Sequence, residues 1–224
     1  MRGDVAVCIT AYNEAETIGT LLYETSHYRR IVVDDGSSDM TGRIALDAGA
    51  RVIWHRERMG IGPSLLFAWR EALDEGAEYV VQLDAGGSHA PTSIPRLLSV
   101  FEDVPDVQMV IGSRFMPGGR HVGNAKRRLL SHLAAAACNY ASVVQYTDWT
   151  SGYRAFRAAT VDRLLAHEYH AKGHAWQIEV LWNAMQEHML VAEVPISYTC
   201  TGSTLNWRGM GEAFGVWRRL LRSG

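Results

Sequence analysis

Short runs of aliphatic and β-branched residues alternate along the chain with longer stretches in which apolar positions recur every three or four residues. Residues 5–9, 31–33, 51–54, 79–83 and 107–111 read as short buried strands. Between them, residues 14–27 carry Ile18, Leu21 and Leu22 on one helical face, and residues 41–48, 60–73 and 91–101 continue the helical pattern. This alternation predicts an α/β fold with a mostly parallel central sheet flanked by helices on both faces. Farther along, helices are expected over 124–144, 158–166, 175–187 and 211–221, a loop over 146–154 and a strand over 191–198. No repeat, low-complexity stretch or Pro/Gly-rich linker interrupts the pattern, so residues 1–224 are expected to form one domain.

Ligands of such sheets sit at the carboxyl ends of the strands, and three polar clusters fall there. They are Tyr12-Asn13-Glu14, residues 34–39 and residues 84–89. Asp34 and Asp35 can accept hydrogen bonds from ribose hydroxyls or a base N–H, whereas Ser38 and Asp39 suit a turn that caps the next helix. Asp84, followed by Gly86 and Gly87, could hold a divalent cation against a diphosphate, with room for close backbone approach. A tight turn before Pro91 is the plainer alternative. Gly60-Ile61-Gly62 lacks the third glycine of a dinucleotide loop and is followed by Pro63, which argues against a Rossmann dehydrogenase.

Composition narrows the classes. With 47% hydrophobic and 21% charged residues the chain can bury an ordinary core, and a net charge of -2 gives no reason to expect nucleic acid as a partner. Cys8, Cys138 and Cys200 show no paired spacing, so a disulfide framework or zinc site is not expected and a reducing cytoplasm is. No secretory signal is read at Met1, and the apolar stretch 129–144 is too short and too polar to span a bilayer. One local feature changes the picture. Between Asp106 and Asp148 there is no acidic residue, while Arg114, Arg120, Lys126, Arg127 and Arg128 are all positive. Such a segment favours an anionic ligand. Residues 214–222 mix aromatic residues with arginines, which suits either an anionic membrane surface or simple packing on the domain.

Taken in order, the motifs resemble a known family. Ala11-Tyr12-Asn13-Glu14 and Val33-Asp34-Asp35-Gly36-Ser37-Ser38-Asp39 resemble the family 2 inverting glycosyltransferases of the A-type fold. Residues 56–62, 83–91 and Ile111-Gly112-Ser113-Arg114-Phe115 look like the dolichyl- or polyprenyl-phosphate mannosyltransferase branch. So do Gly118-Gly119, residues 148–154, Gln177-Ile178-Glu179 and Glu193-Val194-Pro195-Ile196. The likeness spans residues 5 to about 198.

The resemblance implies a single glycosyltransferase A-type domain with a nucleotide-sugar-binding half (about 1–113) and an acceptor half (about 114–224). Its donor would be a GDP- or UDP-hexose, the hexose being mannose or glucose, and its cofactor Mg2+ or Mn2+. Ala11, Tyr12, Glu14, Asp34 and Asp35 would line the nucleoside pocket, and Asp84 with Ser88 would meet the metal. Arg114 and one of Arg127 or Arg128 would face phosphate groups; Gln177 and Glu179 would border the sugar and acceptor. The expected acceptor is a polyprenyl phosphate reached by a cytoplasmic or membrane-peripheral protein. For a hydroxyl acceptor, Asp148 is the expected general base. Two departures bear on this. The family's Asp-x-Asp motif reads Asp84-Ala85-Gly86, which removes one carboxylate and weakens metal affinity. After Ile196 the family's arginine and lysine are replaced within Thr199-Cys200-Thr201-Gly202-Ser203-Thr204. Transfer to a protein, glycan or modified nucleobase therefore stays open, as does a silent nucleotide-sugar-binding module.

Overall fold

The computed structural model describes residues 3–123, 125–199 and 207–223. The first half follows the expected alternation: β1 (Val5–Ala11), α1 (Ile18–Glu24), β2 (Arg29–Asp34), α2 (Thr41–Asp47), β3 (Arg51–Trp54), α3 (Ile61–Asp74) and β4 (Tyr79–Asp84). A 3-10 turn at Pro91–Ser93 leads into α4 (Ile94–Asp103), then β5 (Met109–Ser113) and a short β6 (Arg120–Val122). The second half contains α5 (Ala125–Tyr140), β7 (Arg154–Arg157), α6 (Ala158–Leu165), α7 (Trp176–Gln186), β8 (Val191–Pro195), β9 (Ser197–Thr199) and α8 (Trp207–Ser223).

Seven strands form one sheet in the order β3-β2-β1-β4-β7-β5-β8, and β6 pairs with β9 in a two-stranded ribbon. All pairs in the large sheet are parallel except those of β7, which runs antiparallel between β4 and β5. Alternation of side chains sends Ala6 and Cys8 of β1 to one face, with α3, α5, α6, α7 and α8. Val5, Val7 and Ile9 go to the other, with α1, α2 and α4. Both faces are thus covered, as the aliphatic strands require.

The expected loop over 146–154 ends in a strand, and the expected strand over 191–198 divides into β8 and β9. β7 is Arg154-Ala155-Phe156-Arg157, with an arginine at each end and no apolar alternation to mark it. The burial of Arg154 is satisfied by carbonyls: Nε donates to Ser151 O (2.9 Å), Nη1 to Gln177 O (2.8 Å) and Nη2 to Trp149 O (3.0 Å). Burial pulls its pKa down to about 9. This side chain ties the 149–151 loop to α7.

Gly60 and Gly62 serve a close approach. A Cβ on Gly62 would lie 2.6 Å from Cδ1 of Trp176 and 2.9 Å from the carbonyl of Ala171. Its N–H donates to Lys172 O at 3.0 Å, so the start of α3 is pressed against the 171–172 loop.

Candidate active site at the strand ends

β1, β2 and β4 end side by side, with Ala11 opposite Asp34 and Thr10 opposite Asp84. The loops after β1 and β2 are stitched together. Asn13 N–H donates to Ser37 Oγ (2.9 Å), Ser38 N–H to Asn13 Oδ1 (2.8 Å) and Glu14 N–H to Thr41 Oγ1 (2.7 Å). Asn13 takes a positive φ of 54°, which the short amide side chain tolerates. Tyr12 is exposed at this wall, and the Arg58 guanidinium sits 4.1 Å from its ring centroid. The pair offers a flat, cationic surface on which a base can stack. Ala11 is buried beneath it.

Asp34 is buried, and one of its oxygens accepts from Ser37 N–H (2.9 Å). Asp35 has both oxygens engaged. Oδ1 accepts from Met59 N–H (2.8 Å) and lies 3.1 Å from His55 Nδ1, and Oδ2 accepts from Gly60 N–H (2.9 Å). It fastens the 55–60 loop to β2, whereas Asp34 is buried with its Oδ2 packed against Gly42.

At the end of β4, the Asp84 side chain is 31% exposed. A Cβ on Gly152 would lie 3.5 Å from both Asp84 Oδ1 and Gln177 Nε2, which puts these two groups on one side of the 151–153 backbone. Gln177 is fixed from behind, its Oε1 accepting from Gln82 Nε2 at 2.9 Å. Ser88 lies where its carbonyl accepts from Thr199 N–H (3.0 Å), at the junction with β9. His89 is 2% exposed, and neither ring nitrogen has a hydrogen-bond partner. Its Nδ1 is 3.8 Å from Asp84 Oδ2. Burial, opposed by Asp84, draws its pKa down to about 4. Among the described residues, no three His, Cys, Asp or Glu side chains converge to hold a cation by themselves. The open space beside Gly87, the hard oxygen of Asp84 and the unpartnered His89 nonetheless fit a Mg2+ or Mn2+ ion completed by phosphate and water.

Beside this cleft lies a cavity of about 420 Å³, lined by Arg114, His121, Arg128 and His132 with Phe115 and Leu129. No carboxylate lines it. Arg114 is gripped by Asp148: Nε to Oδ2 and Nη2 to Oδ1 are both 2.7 Å, and Arg114 N–H donates to Oδ2 at 3.0 Å. Nη2 also donates to Thr150 Oγ1 at 2.6 Å. Burial opposes the charge on Arg114, but the hydrogen bonds and charge of Asp148 hold its pKa above the ordinary value. Burial first, then Arg114, lowers the pKa of His121. Glu193 of β8 braces the loop, accepting from Thr147 N–H (2.9 Å) and Asp148 N–H (3.0 Å).

Two expected roles change. Asp148 is 0% exposed with both oxygens held by Arg114, so it positions the guanidinium and is not placed as a base. Glu179 is 7% exposed and does not border the cleft. Its Oε2 accepts from the N–H groups of His170 and Ala171 (both 2.9 Å), and its Oε1 accepts from Arg219 of α8 (2.9 Å). It is a fastening between α7, the 170–171 loop and α8. Arg128 lines the cavity with Arg114; the side chain of Arg127 lies outside the described residues, as do residues 200–204. Arg58 and His121 had no assigned role in the sequence. Arg58 was visible only as part of the 56–62 motif, and His121 only within the acid-free segment.

A mostly parallel sheet with acidic strand ends opening onto a cationic cavity defines a glycosyltransferase of the A-type fold. The Glycosyl transferase family 2 profile matches residues 6–165, and the chain belongs to that family. It is 34% identical to polyprenol monophosphomannose synthase of Mycolicibacterium smegmatis, over 86% of this chain and 76% of that protein. It is 33% identical to undecaprenyl-phosphate mannosyltransferase of Micrococcus luteus, over 87% and 83%. Its fold is shared with glucosyl-3-phosphoglycerate synthase from Mycobacterium tuberculosis, solved with Mn2+, UDP and glucosyl-3-phosphoglycerate. That likeness has a TM-score of 0.73 at 22% identity, covering 99% of this chain and 80% of that one.

Proposed function

We propose that this glycosyltransferase moves a hexose, mannose or glucose, from GDP or UDP to a polyprenyl phosphate at a membrane surface, with inversion. The observation that carries the reading is the carboxylate-free cationic cavity with Arg114 locked at its wall, within electrostatic reach of Asp84. Residues about 1–113 serve the donor and about 114–224 the acceptor. The base stacks at Tyr12 and Arg58, and Asp34 accepts from the ribose. The diphosphate lies over Asp84, Gly86 and Gly87, with Gln177 alongside.

The acceptor phosphate enters the cavity between Arg114 and Arg128, whose guanidinium groups suit paired phosphate oxygens. A phosphate oxygen attacks the anomeric carbon in line as the bond to the diphosphate oxygen breaks, through an oxocarbenium-like transition state. The nucleophile is already anionic and needs no base, in keeping with a cavity that no carboxylate lines. Mg2+ or Mn2+ held at Asp84 would supply charge neutralisation for the departing diphosphate.

A lipid acceptor also calls for an apolar landing surface. Leu129, Leu133 and Tyr140 are exposed along the outer side of α5, Val143 follows, and Phe214 and Leu221 are exposed on α8. The two helices touch, Trp217 Nε1 donating to Ala137 O at 3.1 Å. No helix among the described residues is long and apolar enough to cross a membrane, so contact would be interfacial.

The test is transfer from labelled GDP-mannose, GDP-glucose and UDP-glucose in micelles containing undecaprenyl phosphate, followed by organic extraction. Label in the organic phase is expected. Arg128→Ala should lower transfer by roughly tenfold or more, the worth of one charge-assisted contact, without weakening nucleotide binding. Label appearing only on a polar acceptor would refute the lipid assignment. Nucleotide binding with neither transfer nor donor hydrolysis would identify a silent module.

A further inference from the structure

We infer that Glu14 supplies the second carboxylate of a divalent-cation site with Asp84, in place of the side chain that position 86 lacks. The inference rests on the donor-binding reading above. Gly86 follows Asp84 by two residues and is not among the glycines with positive φ, so its backbone would accept an ordinary side chain. A Cβ built there would lie 3.2 Å from Glu14 Oε1 and 3.6 Å from Oε2. Glu14 therefore fills, from the neighbouring loop, the volume that a short acidic side chain at 86 would occupy.

Glu14 is held for this task. Its N–H is anchored on Thr41 Oγ1 (2.7 Å), and its Oε2 accepts from Thr17 Oγ1 (2.9 Å), which leaves the Oε1 edge toward residue 86. The strand register brings the two loops together, since Thr10 at the end of β1 lies opposite Asp84 at the end of β4. His89 points to the same place independently. It is a buried ring with no hydrogen-bond partner, directed at Asp84 from the protein side. A hydrated cation at Asp84 gives that ring a partner. Charge argues likewise, because two carboxylates facing a diphosphate repel it unless a cation lies between them. Mg2+-type sites are commonly built from one or two carboxylates plus substrate phosphates, which is the set available here.

The experiment measures Mn2+ binding by the loss of the free-ion electron paramagnetic resonance signal, with and without GDP or UDP. Nucleotide binding without metal is followed by calorimetry. Glu14→Gln keeps the shape and the threonine bonds. It should weaken Mn2+ binding by about tenfold or more, by analogy with the effect of ligand charge on such sites, while metal-free nucleotide affinity stays within about twofold. Gly86→Asp added to Glu14→Gln should restore Mn2+ binding. Unchanged Mn2+ affinity in Glu14→Gln overturns the inference. So does a loss of metal-free nucleotide affinity that Gly86→Asp leaves uncorrected, which would make Glu14 a nucleoside contact. A parent protein that binds nucleotide but no Mn2+ overturns the inference and leaves the donor reading standing. A parent that binds Mn2+ through Glu14 but neither nucleotide does the reverse.

Discussion

Arg114 is a buried cation whose charge is matched by Asp148, from a loop 34 residues further along the chain. Removing one member of such a pair leaves the other unpaired in a poorly solvated place, which typically costs about 3–5 kcal/mol. Asp148→Ala should therefore lower the unfolding free energy obtained from a urea titration by that order and abolish transfer, with nucleotide binding to the folded fraction retained. Asp148→Glu should recover part of the transfer rate if positioning Arg114 is its role. The sequence displayed both residues inside motifs but not their partnership. An acidic loop residue looks the same whether it faces substrate or an arginine. Glu179 was opaque for the same reason, because its partners are two backbone N–H groups and a side chain on the last helix. That Asp34 and Asp84 lie close together was legible because strand ends in a parallel sheet converge by geometry alone; Gln177, in the first turn of α7, was visible only as part of its motif.

Among elements, α8 shows how a terminal helix becomes part of a nucleotide-binding domain. Glu212 accepts from Gly173 N–H (3.0 Å), Arg219 reaches Glu179, and Trp217 reaches α5. The 171–172 loop held this way presses on Gly62 at the start of α3. Glu212→Gln should weaken that clasp by about 1 kcal/mol, read as faster amide hydrogen exchange in α8 with exchange of β1 and β4 unchanged. The strands β1 to β5 and their helices were readable from apolar periodicity. β7 was not, because a four-residue strand bounded by two arginines carries no alternation. The ribbon β6–β9 was also hidden: three-residue strands derive their pairing from distant partners, not from local pattern.

For the whole molecule, the acid-free segment read from the sequence becomes one wall of a cavity and the outer face of α5. The apolar stripe and the cations lie together, so binding to anionic vesicles should need both. Leu129→Glu with Leu133→Glu is expected to reduce co-sedimentation several-fold, and 0.5 M salt should weaken binding of the parent. Equal sedimentation of variant and parent would exclude this face. The sheet order has a consequence for biosynthesis as well. β5 lies between β7 and β8, with Met109 facing Phe156 on one side and Val191 on the other. At ribosomal speed its second neighbour emerges on the order of ten seconds after β5 itself. During that interval an aliphatic strand waits with unpaired edges. The nascent chain is thus a natural client for chaperones that shield exposed strands until synthesis passes β8.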